Sequence, residues 1–186
     1  MKKRVANRRQ RPKAAIPHAL GGPSNALSDF WQEQIRTLGR GLLFVETGFV
    51  IASLTPSTQS LAQGLLRELV SDRLVTSSYV ITEAVRRIIK SKHREFAGPN
   101  GEQYTDLALY ILFEWIRDNN VTVICPPECV FDEAKRVLRE HRSVGCDLAD
   151  ILSFVIVRGL EQGRILSQDR HFRALGLNTL LQLPGT

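Results

Sequence analysis

The sequence predicts an α/β protein, a three-layer α/β/α sandwich with a central parallel sheet. Short, continuous apolar runs alternate along the chain with longer segments in which apolar residues recur at helical spacing. Runs of the first kind are typical of strands buried on both faces of a parallel sheet, and the segments between them supply helical crossovers. Hydrophobic residues make up 43% of the 186 residues and charged residues 24%, a composition that can bury one core.

The strands are predicted from the apolar runs. The clearest is Leu-Leu-Phe-Val at residues 42–45, which begins just after a glycine and ends at an acid. Four further runs complete the predicted sheet, at residues 74–76, 121–124, 164–167 and 179–183. Because helical segments separate successive strands, the connections are crossovers and the strands are expected to be parallel.

The helices are predicted from apolar spacing, caps and breakers. The first lies in residues 26–40, carries Trp31 and Ile35 on one face and ends near Gly39. Residues 93–102 are polar and rich in glycine and proline, so we expect a loop there. The other helices are predicted at residues 59–72, from 78 onward, 104–119, 128–141, 147–160 and 170–175. The chain therefore divides into a basic arm, an N-terminal helix and an α/β domain, at residues 1–25, 26–40 and 41–186.

The positive charge is concentrated in residues 1–25. The chain has a net charge of +6. This segment contains no acidic residue, and its seven cations are Lys2, Lys3, Arg4, Arg8, Arg9, Arg11 and Lys13. Prolines and glycines interrupt any helical spacing, so we expect a flexible arm that binds RNA phosphates. A solvated tail and an organelle transit peptide are the alternatives.

Cysteine count and hydropathy indicate a cytoplasmic protein. Three cysteines cannot form a closed set of disulfides, which favours a reducing compartment. No run approaches the roughly 18 apolar residues of a membrane span, so we expect no membrane association. Cys125, Cys129, His141 and Cys146 lack the spacing of compact zinc sites, and the sequence does not favour zinc.

Four acids fall near the carboxyl ends of predicted strands, where functional groups collect in an open α/β sheet. They are Glu46, Glu83, Asp150 and Asp169. Carboxylates that lie close together raise one another's pKa, and a divalent cation would compensate their charge. Oxygen ligands alone suit a hard ion, so the pattern favours Mg²⁺ or Mn²⁺.

Each acid also has a structural alternative. The first would form a buried ion pair with an arginine. The second would pair with Arg87, four residues along the same helix. The third would belong with Asp147 to a helix N-terminus, and the fourth would cap a short helix.

Four segments resemble, in order, the motifs of the PIN-domain ribonuclease family. They are Leu-Leu-Phe-Val-Glu-Thr-Gly-Phe-Val-Ile-Ala, Val-Thr-Ser-Ser-Tyr-Val-Ile-Thr-Glu-Ala, Leu-Ala-Asp-Ile-Leu-Ser-Phe and Ile-Leu-Ser-Gln-Asp-Arg-His-Phe. The resemblance covers about residues 41–175, and the last two segments are its most specific part. It implies that residues 41–186 form a PIN-like domain with an acidic site that uses Mg²⁺ or Mn²⁺ to cleave RNA.

Carried over residue by residue, the resemblance implies catalytic roles for Glu46, Glu83, Asp150 and Asp169. The metal ligands among them would be Glu46, Asp150 and Asp169, and Arg170 beside the last acid would neutralise an RNA phosphate. The family usually has aspartate at the first position. Glu46 is longer by one methylene, which changes its reach toward a metal.

The resemblance implies a metal-dependent endoribonuclease, and the family includes the toxins of toxin–antitoxin pairs. The partners expected are therefore RNA, an antitoxin protein and a second copy in a homodimer. A catalytically impaired PIN-like RNA-binding or ribonucleoprotein component is the alternative, motivated by Glu46 and the arm. A phosphoacceptor receiver is a third interpretation of an acidic α/β fold.

Deletion of residues 2–13 should weaken RNA binding, because these residues supply seven cations. It should leave the stability of the α/β domain unchanged, because they supply almost no apolar area to its core. If four or five of them contact phosphates, the slope of log K against log salt should become shallower by about 3, at roughly 0.7 per contact on a single strand. RNA binding measured over a salt series checks this, and an unchanged slope would identify a solvated tail or a targeting segment.

Overall fold

A five-stranded parallel sheet forms the centre of the protein. The computed structural model describes residues 29–90, 104–141, 145–160 and 162–180. The strands are β1 (Leu42–Val45), β2 (Arg73–Ser77), β3 (Thr122–Ile124), β4 (Arg164–Leu166) and β5 (Asn178–Thr179). All neighbouring strands are parallel, in the order β3-β2-β1-β4-β5. Strands lie at all five predicted places, but β5 ends at Thr179, and residues 181–183 of its predicted range lie outside the described residues, as does the predicted basic arm.

Helices cover both faces of this sheet. They are α1 (Asp29–Leu38), α2 (Thr47–Leu54), α3 (Pro56–Glu68), α4 (Ser78–Lys90), α5 (Tyr104–Asp118), α6 (Glu128–Glu140), α7 (Leu148–Gly159) and α8 (Arg170–Ala174). Helices α2 to α5 contact one another, and α6, α7 and α8 form a second group. Strand order proceeds from β1 to β3 in one direction and then returns to β4, so right-handed crossovers place the two groups on opposite faces. The predicted three-layer sandwich is confirmed. In the part of the chain described here, no helix has the length and apolar character needed to cross a membrane.

Two helices differ from the sequence prediction. Helix α2 was not predicted, because it is apolar on nearly all sides and has no polar face to reveal a helical period. Helix α3 begins at Pro56 and ends at Glu68, several residues before the predicted range of 59–72 at both ends. Proline is favourable in the first turn of a helix, where its missing N–H has no partner to lose.

Helix α1 belongs to the same core as the α/β domain. Trp31 and Ile35 are buried and pack with the core of the sheet and its helices. Their neighbour in α7 is Gly159, where an added Cβ would lie 3.5 Å from Nε1 of Trp31. The predicted boundary at residue 40 therefore separates elements of the sequence but not two hydrophobic cores.

The strand order creates a crevice at one edge of the sheet. The connection after β1 leads toward β2, and the connection after β4 leads toward β5 on the other side. Divergent connections of this kind leave a crevice at the carboxyl ends of the two central strands. Glu46 follows β1 directly, and its backbone N–H donates to the carbonyl of Leu166 at the end of β4 (3.3 Å).

Trp31→Ala should lower the free energy of unfolding by about 3–5 kcal/mol, because it removes a large side chain that is only 1% exposed. The matched control is Arg36→Ala on the exposed side of the same helix, which should change stability by less than about 0.5 kcal/mol. Urea unfolding of both variants checks this. Equal effects would show that α1 contributes little to the core.

Candidate active site

Glu46 is a buried carboxylate at the crevice, and it precedes α2 as its N-terminal flanking residue. The side chain is only 7% exposed, and its Oε2 accepts a hydrogen bond from Oγ of Ser167 (3.0 Å). Burial raises the pKa of Glu46 to about 7, although hydrogen bonds from the Gly48 backbone and from Ser167 oppose the rise. The carboxyl group is therefore held in a place that disfavours its charge.

Gly48 allows this close approach between the first turn of α2 and the Glu46 side chain. A Cβ added to Gly48 would lie 2.9 Å from Oε2 of Glu46, closer than side-chain atoms normally approach. A side chain at position 48 would therefore displace the Glu46 carboxylate, which explains why glycine suits this position.

Glu83 lies on α4 beside Glu46 and has two partners of its own. Its Oε2 accepts a hydrogen bond from the hydroxyl of Thr47 (2.8 Å). Its Oε1 forms an ion pair with Nη2 of Arg87 (2.6 Å), four residues along the same helix. The charge of Glu83 raises the pKa of Glu46, whereas that of Arg87 lowers it. The helical ion pair foreseen as a structural alternative therefore exists, and it lies within the electrostatic range of Glu46.

Asp150 lies in the first turn of α7, where it takes part in a capping box. The side chain of Asp147 accepts from the backbone N–H of Asp150 (2.9 Å), and the Asp150 carboxylate accepts from the backbone N–H of Asp147 (3.3 Å). Burial raises the pKa of Asp150 to about 6, the charges of Asp147 and Asp169 add to the rise, and His171 opposes it. Asp150 is thus both a helix-capping acid and a partly desolvated one.

Asp169 follows β4 and caps α8, and Ser167 connects it to the other side of the crevice. Its Oδ1 accepts from the backbone N–H of His171 (2.8 Å), as the capping alternative predicted. Its own backbone N–H donates to Oγ of Ser167 (3.0 Å). Because the same hydroxyl donates to Glu46, Ser167 links the backbone of Asp169 to the side chain of Glu46.

His171 and Cys146 lie beside the aspartates, although the sequence motifs assign neither of them to a metal. Nδ1 of His171 is 3.0 Å from Oδ1 of Asp169 and 3.6 Å from Oδ2 of Asp150. This nitrogen is buried, and neither approach has hydrogen-bond geometry. Burial raises the pKa of the Cys146 thiol to about 11, and the charges of Asp150, Asp169 and Asp147 contribute. Cys146 precedes the start of α7, so helical spacing does not relate it to Asp150, and its only sequence signal was its place four residues before that acid.

The four predicted acids lie in two groups of two, one on each side of the crevice. Glu46 and Glu83 interact on the side of α4, and Asp150 and Asp169 interact on the side of α7. Arg170, predicted to contact RNA, is exposed at the start of α8. The positive charge of Arg87 instead lowers the pKa of the buried Glu46 carboxyl group.

The donor set at the crevice fits a hard divalent cation in its chemistry. The proposed ligands Glu46, Asp150 and Asp169 all offer carboxylate oxygens, as Mg²⁺ and Mn²⁺ prefer. Among the described residues, however, these three acids do not place their oxygens within 4.8 Å of one another, so the fit is one of ligand chemistry and not of spacing. Two of the three have a raised pKa without a cation, so a bound cation would restore the charged form that the protein alone disfavours.

Glu46→Gln should flatten the pH dependence of stability in metal-free protein. The Glu46 carboxyl titrates at about 7 when folded and near 4.5 when unfolded, so the folded state binds more protons between these values. The free energy of unfolding should therefore fall as the pH rises through this window, by up to about 3 kcal/mol from this group. Urea unfolding in EDTA at a series of pH values checks this. The exposed Glu68→Gln is the control, and an unchanged slope in Glu46→Gln would contradict the burial argument.

The fold of this chain resembles that of a protein of known structure. No protein-family model and no curated protein matched the sequence. Among solved structures, the chain is similar to Mycobacterium tuberculosis VapC20, described as a sarcin–ricin loop cleaving toxin, with a TM-score of 0.53 and 20% sequence identity. The match covers 73% of this chain and 95% of the other. The fold implied by the sequence motifs is thereby confirmed: the chain has the fold of a PIN-domain ribonuclease.

Proposed function

We propose that the protein is a metal-dependent endoribonuclease that hydrolyses phosphodiester bonds in RNA. The observation that carries the proposal is the pairing of acids at the carboxyl edge of the sheet, with Ser167 linking the two sides. A carboxylate buried as deeply as Glu46 is costly for stability, and groups in a crevice whose pKa is strongly raised, here Glu46 and Asp150, are candidates for function. The fold supports a nuclease over other acidic α/β proteins, a phosphoacceptor receiver included.

In this proposal Glu46, Asp150 and Asp169 hold Mg²⁺ or Mn²⁺. When bound, the cation would supply charge stabilisation at a phosphate oxygen and activation of a water molecule. Ser167 holds the Glu46 carboxylate in place through its hydroxyl (3.0 Å). The capping box orients Asp150 by fixing the first turn of α7.

Two further residues have roles next to the metal ligands. Glu83 is held by Thr47 and Arg87, and it would accept a proton or a hydrogen bond from the attacking water. Arg170 is exposed at the start of α8, where its guanidinium would neutralise a substrate phosphate. The arm, residues 1–25, would add phosphate contacts outside the crevice.

The similar structure supports a substrate class and a partner for the proposed function. VapC20 is described as a toxin that cleaves the sarcin–ricin loop, which supports a structured RNA as substrate and a role as a toxin. A toxin requires an antitoxin that blocks it, so an antitoxin protein is the proposed protein partner. We also retain a homodimer in the proposal, on the basis of the family resemblance.

A second candidate function is RNA binding without cleavage. It is favoured by the contacts of the two glutamates, since Ser167 and Gly48 donate to Glu46 while Thr47 and Arg87 pair with Glu83. Acids that accept hydrogen bonds or form ion pairs within the protein depend less on a cation to compensate their charge. The longer side chain at position 46 is the departure from the family that would impair the metal site.

Asp150→Asn and Asp169→Asn should each lower RNA cleavage by about 100-fold, because each removes a charged metal ligand. The substrates are an RNA hairpin that contains a sarcin–ricin loop and a single-stranded oligoribonucleotide, each with Mn²⁺ or Mg²⁺. EDTA should stop cleavage by the unaltered protein. Both asparagines keep an oxygen that can accept the bond from the backbone N–H of Asp147 or of His171, so folding should be retained, as circular dichroism would verify.

The matched control is Asp132→Asn, an exposed acid on α6 that pairs with Lys135. It should leave cleavage unchanged. Cleavage that survives Asp150→Asn would show that the assigned site is wrong. RNA binding without turnover at any concentration of Mn²⁺ would instead support the second candidate function.

A further inference from the structure

Three side chains of different chemistry meet on the α7 side of the crevice. Cys146 lies just before α7, Asp150 in its first turn and His171 in α8. One potential ligand atom from each lies within 4.8 Å of the other two. Among the described residues, this is the group of three whose sulfur, nitrogen and oxygen atoms meet that spacing.

The spacing matches the ligands of a tetrahedral cation site. In such a site, bonds of about 2.0–2.3 Å place ligand atoms about 3.5 Å apart. Nδ1 of His171 lies 3.6 Å from Oδ2 of Asp150. Three protein ligands with a fourth open position form the common arrangement of a zinc ion that is accessible to solvent or substrate.

The His171 nitrogen provides an independent indication of a ligand. Nδ1 is buried and has no hydrogen-bond partner, although two carboxylates lie within 3.6 Å of it. Buried polar atoms in proteins nearly always have a partner, so this exception calls for one. A cation between the imidazole, Asp150 and Cys146 would supply it.

The ligand chemistry separates this group from the proposed nuclease metal. Mg²⁺ and Mn²⁺ prefer oxygen ligands, whereas a thiolate and an imidazole select a softer divalent ion such as Zn²⁺. We propose that Cys146, Asp150 and His171 form a zinc site that shares Asp150 with the site of the hard cation. Zinc binding at this group does not depend on the proposed function.

Sharing Asp150 has a consequence for cleavage, and this part rests on the proposed function. A zinc ion on Asp150 would take a carboxylate from Mg²⁺ or Mn²⁺ and bring a positive charge next to Asp169. Zinc should therefore inhibit Mn²⁺-dependent cleavage. For each protein, inhibition is measured relative to its own rate without zinc. Half-inhibition of Cys146→Ser should require at least about tenfold more zinc than half-inhibition of the unaltered protein.

Binding is measured without RNA, so that it is independent of nuclease activity. The full chain with reduced thiols is titrated with Zn²⁺ against a chromogenic chelator, and with Co²⁺ to record the charge-transfer band of a cobalt–thiolate bond. We expect one ion per chain. Cys146→Ser should abolish the band and weaken zinc binding at least about tenfold, and Asp150→Asn and His171→Ala should weaken it similarly.

The matched controls are Cys125→Ser and His141→Ala, which alter the same residue types outside the group. Both should keep the cobalt band and the zinc affinity. Binding that is unchanged in Cys146→Ser, or lost in Cys125→Ser, would overturn the assignment.

X-ray absorption of the zinc-loaded unaltered protein keeps the test valid if a variant fails to fold. It should show one sulfur ligand, and zero or two sulfur ligands would overturn the proposal. Zinc binding without any RNA cleavage would leave this site standing and contradict the nuclease instead.

Discussion

The burial of the Glu46 carboxylate at the end of β1 is the constraint on which the crevice depends. A charge in this position costs several kcal/mol unless neighbouring groups compensate it. Ser167 and the Gly48 backbone donate to it, and Arg87 lowers the pKa that burial has raised. Gly48 is also the residue whose lack of a side chain leaves room for the carboxylate. Three positions from three parts of the chain are therefore arranged around one acid.

The strand order brings the remaining functional groups to that acid. Strands β1 and β4 are paired, and the divergent connections after them leave a crevice at their carboxyl ends, where the loop after β4 lies beside the loop after β1. Ser167 joins the two loops through hydrogen bonds, since its hydroxyl donates to the Glu46 carboxylate and accepts from the backbone N–H of Asp169. Movement of either loop would therefore disturb acids on both sides of the crevice.

The two sides of the crevice differ in chemistry. Around Glu46 and Glu83 the partners are hydroxyls, backbone N–H groups and an arginine, although burial outweighs them at Glu46 and keeps its pKa raised. Around Asp150 the neighbours are a thiol, an imidazole and further carboxylates, and its pKa is raised. Hard and soft cations would thus compete for Asp150, and their balance would decide whether the site is active or inhibited.

The sequence by itself determined the fold class, the five strands and the place of each acid along the chain. Apolar runs and helical spacing are local properties, so they can be recognised without coordinates. Helix α2 could not be predicted because it is apolar on nearly all sides and depends on burial for its stability. Only the tertiary structure decided that Ser167 bridges Glu46 and Asp169, and that Cys146 meets His171 rather than Cys125 or Cys129. Those contacts join residues far apart in sequence, and their geometry depends on strand order and crossover packing, which no local pattern encodes.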